Sequence, residues 1–410
     1  MDLLRFCAIG SVDDGKSTLI GRLLADTRQL FDDQVEAVEE ASRRRGHLGV
    51  DLAFVTDGLR AEREQGITID VAYRYAATPR RKFIIADCPG HVQYTSNMAT
   101  GASTADVALV VVDARTGVRE QTRRHLCIAT LVGVDHLVVA VNKMDLVEWD
   151  KDTYDQVVTE VETLAKSLGV DTFICVPVSA LLGDNVVHPT AAAEWYRGPT
   201  IIECLESAPE ILSADSGPRF PVQWVLRHPG GGRSYAGMVC GGSLTSGDEV
   251  VVLPSGARSR VRSIQTFDRP LDVAAPGLSV SVSLEDDLDV ARGDMLAPAA
   301  EPPRLTSDLE ATVCWFTDRA VAAGDRFVLK HTTRTTPAVV SSVDGRLDVN
   351  TMTVEPAQRL SKNDIGLVQV TTATLLALDD YRANRVTGSF VLIDPQSHAT
   401  VAAGMVGVTM

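Results

Sequence analysis

The sequence predicts an α/β domain, a mostly parallel sheet flanked by helices, followed by two all-β barrel domains. Three observations lead there. Up to about Gly217 short apolar runs alternate with segments of helical period, and beyond it the runs shorten, gain Val, Thr and Ser, and are interrupted by Gly and Pro. A glycine-rich loop also closes the first apolar run and opens a helical segment.

Five runs in the first part are the candidate strands: Arg5 to Gly10, Phe83 to Asp87, Val107 to Asp113, Leu137 to Asn142 and Phe173 to Val178. Their alternation with helical segments indicates strands joined by crossover helices. In the second part, Val250 to Leu253, Leu278 to Leu284 and Val339 to Val343 are typical of short barrel or sandwich strands. Asp215 to Pro221 is the expected first joint and the stretch around Pro298, Pro302 and Pro303 the second, giving domains at 1–214, 215–302 and 303–410. No repeat of solenoid period occurs.

With 410 residues, 45% of them hydrophobic, the chain can build several cores. A formal charge of -15 argues against a surface made generally for nucleic acid, which needs a local excess of Lys and Arg. The seven cysteines are scattered, without a C-x-x-C pair or histidines at metal-ligand spacing, and read as small buried hydrophobes in a reducing compartment. The start of the chain lacks the basic-then-apolar layout of a signal peptide, and no apolar run reaches membrane-spanning length. A cytoplasmic location, with no membrane contact, is the expectation.

Chemistry concentrates in the first domain. Gly10-Ser11-Val12-Asp13-Asp14-Gly15-Lys16-Ser17-Thr18 is G-x-x-x-x-G-K-S, placed after a strand and before a helix as the motif requires. Glycines let backbone N–H groups curl around phosphate oxygens, and the helix beginning near Lys16 adds the positive end of its dipole. Gly10, Ser11, Asp13, Asp14, Gly15, Lys16, Ser17 and Thr18 form the candidate phosphate loop, with Lys16 bridging the β- and γ-phosphates and Ser17 ligating Mg²⁺. A glycine-rich turn with a surface lysine is the bland alternative.

Three further segments specify guanine. Asp87-Cys88-Pro89-Gly90 follows an apolar strand, so that Asp87 can hold Mg²⁺ through water and Gly90 can offer its N–H to the γ-phosphate. In Asn142-Lys143-Met144-Asp145, the Asp145 carboxylate can accept from N1 and the exocyclic amine of guanine, which adenine cannot supply. Asn142 would brace the loop and the Lys143 stem would cover one face of the ring. Ser179-Ala180-Leu181 can bring a backbone N–H near guanine O6. Within Glu62 to Asp70, Thr68 supplies the hydroxyl of a switch loop, completing the Mg²⁺ shell only while the γ-phosphate is present. The expected ligands are therefore GTP or GDP with Mg²⁺.

In this order the motifs resemble those of the translational GTPases, whose archetype is elongation factor Tu. The segments Gly10 to Thr18, Arg60 to Tyr75 and Ala86 to Thr95 more narrowly resemble the large, GTP-binding subunit of bacterial sulfate adenylyltransferase, which usually carries Ser11 and Asp14 where elongation factors tend to carry histidines. The closing stretch from Gly388 to Val406 is similar to the end of that family's third domain. The resemblance implies a nucleotide domain and two β-barrels. It also implies that GTP hydrolysis here drives synthesis of adenosine 5′-phosphosulfate from ATP and sulfate on a small catalytic partner subunit.

His91, directly after Gly90, matches the family position that orients the attacking water, so His91, Lys16 and Gly90 are the candidate catalytic residues. Val12 and Ile67 match the apolar pair that gates the histidine; Cys88, where relatives often have threonine, is expected to affect packing, and Asp14 is expected to face solvent. No second G-x-x-x-x-G-K-S/T occurs, so the kinase activity of some longer relatives is not expected. The insert from Thr27 to Asp57 reads as a solvated helix or a partner contact. A translation factor that binds transfer RNA or the ribosome would share every nucleotide motif; the acidity of the chain, with Ser11 and Asp14, favours the metabolic reading. A stand-alone switch is the third reading.

Overall fold

The computed structural model describes residues 2–27, 68–209, 216–228, 231–267 and 269–408. The chain divides into two compact units, the first formed mainly by residues 1–211 and the second by most of 212–410.

The first unit is built on a six-stranded sheet. Its strands are β1 (Leu3–Gly10), β2 (Ala72–Ala77), β3 (Lys82–Asp87), β4 (Val107–Asp113), β5 (His136–Asn142) and β6 (Thr172–Pro177), in the spatial order β2-β3-β1-β4-β5-β6. Five strands run parallel, and β2 alone lies antiparallel to β3 at the edge. Every residue of β4 is buried, as expected for a central strand covered on both faces. The helices are α1 (Lys16–Asp26), α2 (Thr95–Ser103), α3 (Glu120–Leu131), α4 (Lys151–Ser167) and α5 (Ile201–Ser207). The apolar side of α1, with Leu19, Ile20, Leu23 and Leu24, joins Leu4, Phe6, Ile85 and Leu109 in one core. Parallel strands end on the same side, so the loops after β1, β3, β5 and β6 share one rim, where ligands bind in open α/β sheets.

The second unit is all β. In its first barrel, the strands Phe220–Arg227, Arg233–Met238, Glu249–Leu253, Ala257–Gln265, Ser279–Leu284 and Met295–Pro298 close into a ring around Phe220, Val222, Tyr235, Val250 and Val282. The next begins at Arg304–Trp315 and closes likewise around Trp315, Phe327, Leu329 and Val368. Closure removes the open edges that would otherwise invite pairing with another chain. An ion pair between buried Arg219 and half-buried Asp379 joins the barrels: Arg219 donates through Nε and Nη2 to the two Asp379 carboxylate oxygens, each at 3.0 Å, and Thr387 Oγ1 donates to the same carboxylate at 2.6 Å.

Candidate nucleotide site

The loop Ser11–Gly15 leaves β1 and enters α1, and its backbone needs glycine at both ends. Gly10 has φ 147° and Gly15 has φ 97°, both in the region open to glycine. A Cβ at Gly15 would also lie 2.3 Å from the Asn142 amide nitrogen. Lys16 is buried, and its ammonium donates to the carbonyls of Gly10 at 3.0 Å and Ser11 at 2.7 Å. Burial pulls the Lys16 pKa down, while Asp87 and Asp14 oppose that shift.

Asp14 does not face solvent. Its side chain turns into the loop, 1% exposed, where Oδ2 accepts from the Ser11 N–H at 2.8 Å. That bond staples the first and fourth residues of the loop, and the cationic Lys16 and Arg119 compensate part of the charge; burial is the largest influence and pushes the carboxyl above its ordinary value. The expectation failed because a short acidic side chain in a tight turn can satisfy the loop's own N–H groups.

Asp87 ends β3 and is buried beside the phosphate loop. Gly90 follows on a path so close to that loop that a Cβ there would sit 2.4 Å from Lys16 Nζ and 3.1 Å from the Val12 nitrogen. Close approach, not backbone twist, requires glycine here. His91 precedes the short 3₁₀ turn Val92–Tyr94, with its ring 6.2 Å from that of Tyr94. The Nδ1 atom of His91 is buried without a hydrogen-bond partner among the described residues. Thr68 is half-buried, and the next residue is pinned by Asn97 of α2, whose amide donates to the Ile69 carbonyl at 2.9 Å. Cys88 is buried with its sulfur packed toward Gly101, and its neighbour Cys7, together with burial, raises its thiol pKa. Val12 is half-buried, while Ile67 and the insert beyond Thr27 lie outside the described residues.

The candidate base-recognition loop follows β5. Asn142 is buried and links three segments, donating to the Asp14 carbonyl at 2.7 Å and accepting the Ala180 N–H at 2.9 Å. Lys143 adopts the left-handed conformation, φ 64°, and its ammonium reaches the Asp13 carbonyl and, at 2.9 Å, the Asp113 carboxylate. Asp145 sits half-buried in the 3₁₀ turn Met144–Val147. Ser179 and Ala180 are buried, Leu181 is exposed, and Arg22 of α1 holds their loop through the carbonyls of Ala180 at 3.3 Å and Leu181 at 2.6 Å. The structure thus brings the loop 10–18, Asp87, Gly90, Asn142, Lys143 and Ser179-Ala180 into one connected network.

Sequence reasoning missed the support behind the loop. Ser11 Oγ and Thr122 Oγ1 of α3 are 2.9 Å apart, and the Gly10 N–H points at His125 Nδ1 at 3.4 Å. Since Nδ1 accepts, Nε2 of this imidazole carries the proton, and the group 2.8 Å away on Gln121 is best assigned as its carbonyl oxygen. That orientation also gives a partner to the Gln121 carbonyl. His125 is fully buried, and burial, aided by Lys16 and Arg124, pushes its pKa down to about 3. The spacing of Gln121 and His125 four apart on one helix face was the available signal.

Residues 1–214 match the elongation factor Tu GTP-binding domain, and residues 308–407 match the GTP-eEF1A C-terminal domain-like family. The chain is 52% identical over 98% of its length to a Mycobacterium tuberculosis protein named bifunctional enzyme CysN/CysC, of which the match covers 67%. It is 47% identical over 99% of its length to the sulfate adenylyltransferase subunit 1 of Saccharophagus degradans, covering 87% of that protein. It is 48% identical over 98% of its length to the bifunctional enzyme NodQ of Rhizobium sp., covering 63% of that protein.

Proposed function

We infer that this chain, which belongs to the sulfate adenylyltransferase subunit 1 family of elongation factor Tu-type GTP-binding proteins, is the GTP-hydrolysing subunit of a sulfate adenylyltransferase. Hydrolysis here is coupled to formation of adenosine 5′-phosphosulfate from ATP and sulfate on a small catalytic partner subunit. The observation that carries this reading is the close approach of Gly90 to Lys16 and the Val12 backbone, within a loop set bonded to the base-recognition residues. That arrangement joins a phosphate-sensing segment to a guanine-selective one.

The residues divide the work as follows. Backbone N–H groups from Asp13 to Thr18 and the N-terminus of α1 bind the phosphates, and Lys16 neutralises charge on the β- and γ-oxygens. Asp145 accepts from N1 and the exocyclic amine of guanine, the Lys143 stem covers the ring, and the Ser179-Ala180-Leu181 backbone faces O6. Two hydroxyls and one carboxylate, from Ser17, Thr68 and Asp87, are an all-oxygen donor set suited to a hard cation and would hold Mg²⁺. When bound, Mg²⁺ supplies positive charge to the β- and γ-phosphate oxygens. Gly90 presents its N–H to the γ-phosphate, and His91 orients the water that attacks phosphorus.

Domain limits at 1–214, 215–302 and 303–410 and a cytoplasmic location belong to this reading. In its support, no helix among the described residues is long and apolar enough to cross a membrane, and none of the seven cysteines is in a disulfide. Nucleic acid is not an expected partner of so acidic a chain. The test is GTP hydrolysis by the purified chain, alone and with the small adenylyltransferase subunit, with and without ATP and sulfate. Stimulation that depends on that subunit and its substrates, with adenosine 5′-phosphosulfate formed in step, is expected; indifference to both would transfer the assignment to a translation-type factor.

A further inference from the structure

We propose that Asp113 and Arg115 are positioning residues of the guanine site: together they fix the Lys143 ammonium and so tie the base-recognition loop to the phosphate loop. The proposal rests on the nucleotide reading above and adds two residues to it.

Asp113 is the last residue of β4 and lies level with Asn142, the last residue of β5; the Ala114 N–H donates to the Asn142 carbonyl at 2.9 Å. The Asp113 carboxylate is 1% exposed and accepts four hydrogen bonds. Oδ1 receives the Arg115 backbone N–H and Nε, each at 3.0 Å, and Oδ2 receives Arg115 Nη2 at 2.7 Å and Lys143 Nζ at 2.9 Å. Burial would raise such a carboxyl, yet the bonds from Arg115 and Lys143 outweigh it and hold the group well below the usual carboxylate range.

The geometry separates the tasks of the two residues. Arg115 grips both carboxylate oxygens with a planar fork and a backbone donor, which fixes the side-chain rotation of Asp113. Oδ2 is thereby aimed at Lys143. The ammonium of Lys143 also reaches the Asp13 carbonyl, across 130 positions of sequence, so the aliphatic stem is stretched between two fixed ends beside Gly15. Both Lys143 and Asp13 are non-glycine residues with left-handed backbone, φ 64° and φ 66°, conformations that persist only where the surroundings over-determine them. The ion pair is one such constraint. Arg115 is more than a clamp hidden in the core: its side chain is 46% exposed, and the negative charge of Asp145 lies near enough to act on it.

Without its counterion the ammonium keeps only the Asp13 carbonyl, and a stem held at that single exposed bond is a looser floor for the ring. The loss concerns the base and leaves the phosphate cradle, held by Asp14 and α1, in place. Asp113→Ala is therefore expected to weaken binding of a fluorescent GDP analogue about 10- to 100-fold, mainly through faster release. Affinity for inorganic tripolyphosphate should stay within about twofold. Combined with Lys143→Ala, the double variant should bind no worse than Lys143→Ala alone, since both changes remove one device. Arg115→Ala, at an exposed side chain, should weaken GDP binding about 3- to 10-fold without unfolding the domain, and it decides the matter should Asp113→Ala fail to fold.

Additive effects in the cycle, equal losses for GDP and tripolyphosphate, or GDP binding by both variants within twofold of the parent would overturn the proposal. Failure of the parent chain to bind GDP would instead overturn the nucleotide reading on which it rests.

Discussion

His125 makes the fold acid-sensitive at a defined place. The imidazole is fully buried behind the phosphate loop, with a pKa pushed down to about 3, whereas in the unfolded chain it titrates near 6.5. Above pH 6.5 it is neutral in both states and the loop support is intact. Below that value the unfolded chain takes up a proton that the folded chain refuses, and stability falls continuously toward pH 3. Each unit of pH in that window costs about 1.4 kcal/mol, so from pH 7 to pH 5 the first unit should lose about 2 kcal/mol through this residue alone. The control is His125→Asn, whose amide oxygen can take the place of Nδ1 as acceptor for Gly10 and does not titrate. Hydrogen exchange at the β4 amides, measured on both proteins at pH 7 and pH 5, gives the opening free energy of this unit, and comparison at equal pH cancels intrinsic exchange rates. Carboxyl groups such as Asp14 titrate in both proteins and drop out of the difference. A parent protein whose loss of protection on acidification equals that of the asparagine variant would show that His125 is not held neutral.

Four other outcomes are expected. Asp145→Asn should lower GTP affinity by about 1,000-fold while admitting xanthosine triphosphate, because an amide can donate to the 2-oxo group; competition binding with both nucleotides tests it. Gly90→Ala, whose Cβ would meet Lys16 Nζ at 2.4 Å, should cut single-turnover hydrolysis about 100-fold and favour GDP over GTP in equilibrium binding. His91→Ala should reduce the hydrolysis rate by about 100-fold or more and change the Kd for GTP by less than threefold, read by quench-flow and filter binding. Arg219→Ala leaves the half-buried Asp379 carboxylate without its counterion, with the Thr387 hydroxyl still bonded to it, and should destabilise the barrel unit by about 3 kcal/mol, visible as an earlier urea transition of the buried Trp315.

What was legible in the sequence follows from what each residue has to satisfy. Gly10 and Gly15 occupy backbone conformations that side chains avoid, and a Cβ at Gly90 would press on Lys16 Nζ and the Ser11-Val12 backbone, so their spacing survives as a readable motif. The central strands were equally plain, since β4 is buried on both faces and must be apolar throughout. Strand Arg334–Asp348 was seen only as Val339 to Val343, because register shifts at Val340/Ser342 and Val343/Gly345 break the two-residue alternation. The reversed direction of β2 was hidden as well, being set by the tight Thr78–Arg81 turn, in which the Thr78 N–H donates to the Arg81 carbonyl at 2.8 Å. Asp14 was misread for a related reason: whether a loop carboxylate turns outward or staples its own turn depends on which N–H groups and cations the fold places behind it.

The same point explains why the second layer of the site escaped notice. Ser11 is recognisable as a variant of the phosphate loop, but its partner Thr122 is 111 residues away, and the acceptor for Gly10 is 115 residues away on the same helix. Both bonds attach the loop to α3. Asn142 and Lys143 attach it to the loop after β5. Gly90 meets the same loop by close packing, with Lys16 and the Ser11-Val12 backbone as the surfaces it touches. If the nucleotide reading proposed above holds, a loop anchored by directional bonds on two sides and faced by a packed segment on the third would pass a change at the γ-phosphate to that packed segment. The bonds from Thr122, His125 and Asn142 are buried and costly to break, so the segment that carries Gly90 and His91 is the one expected to move.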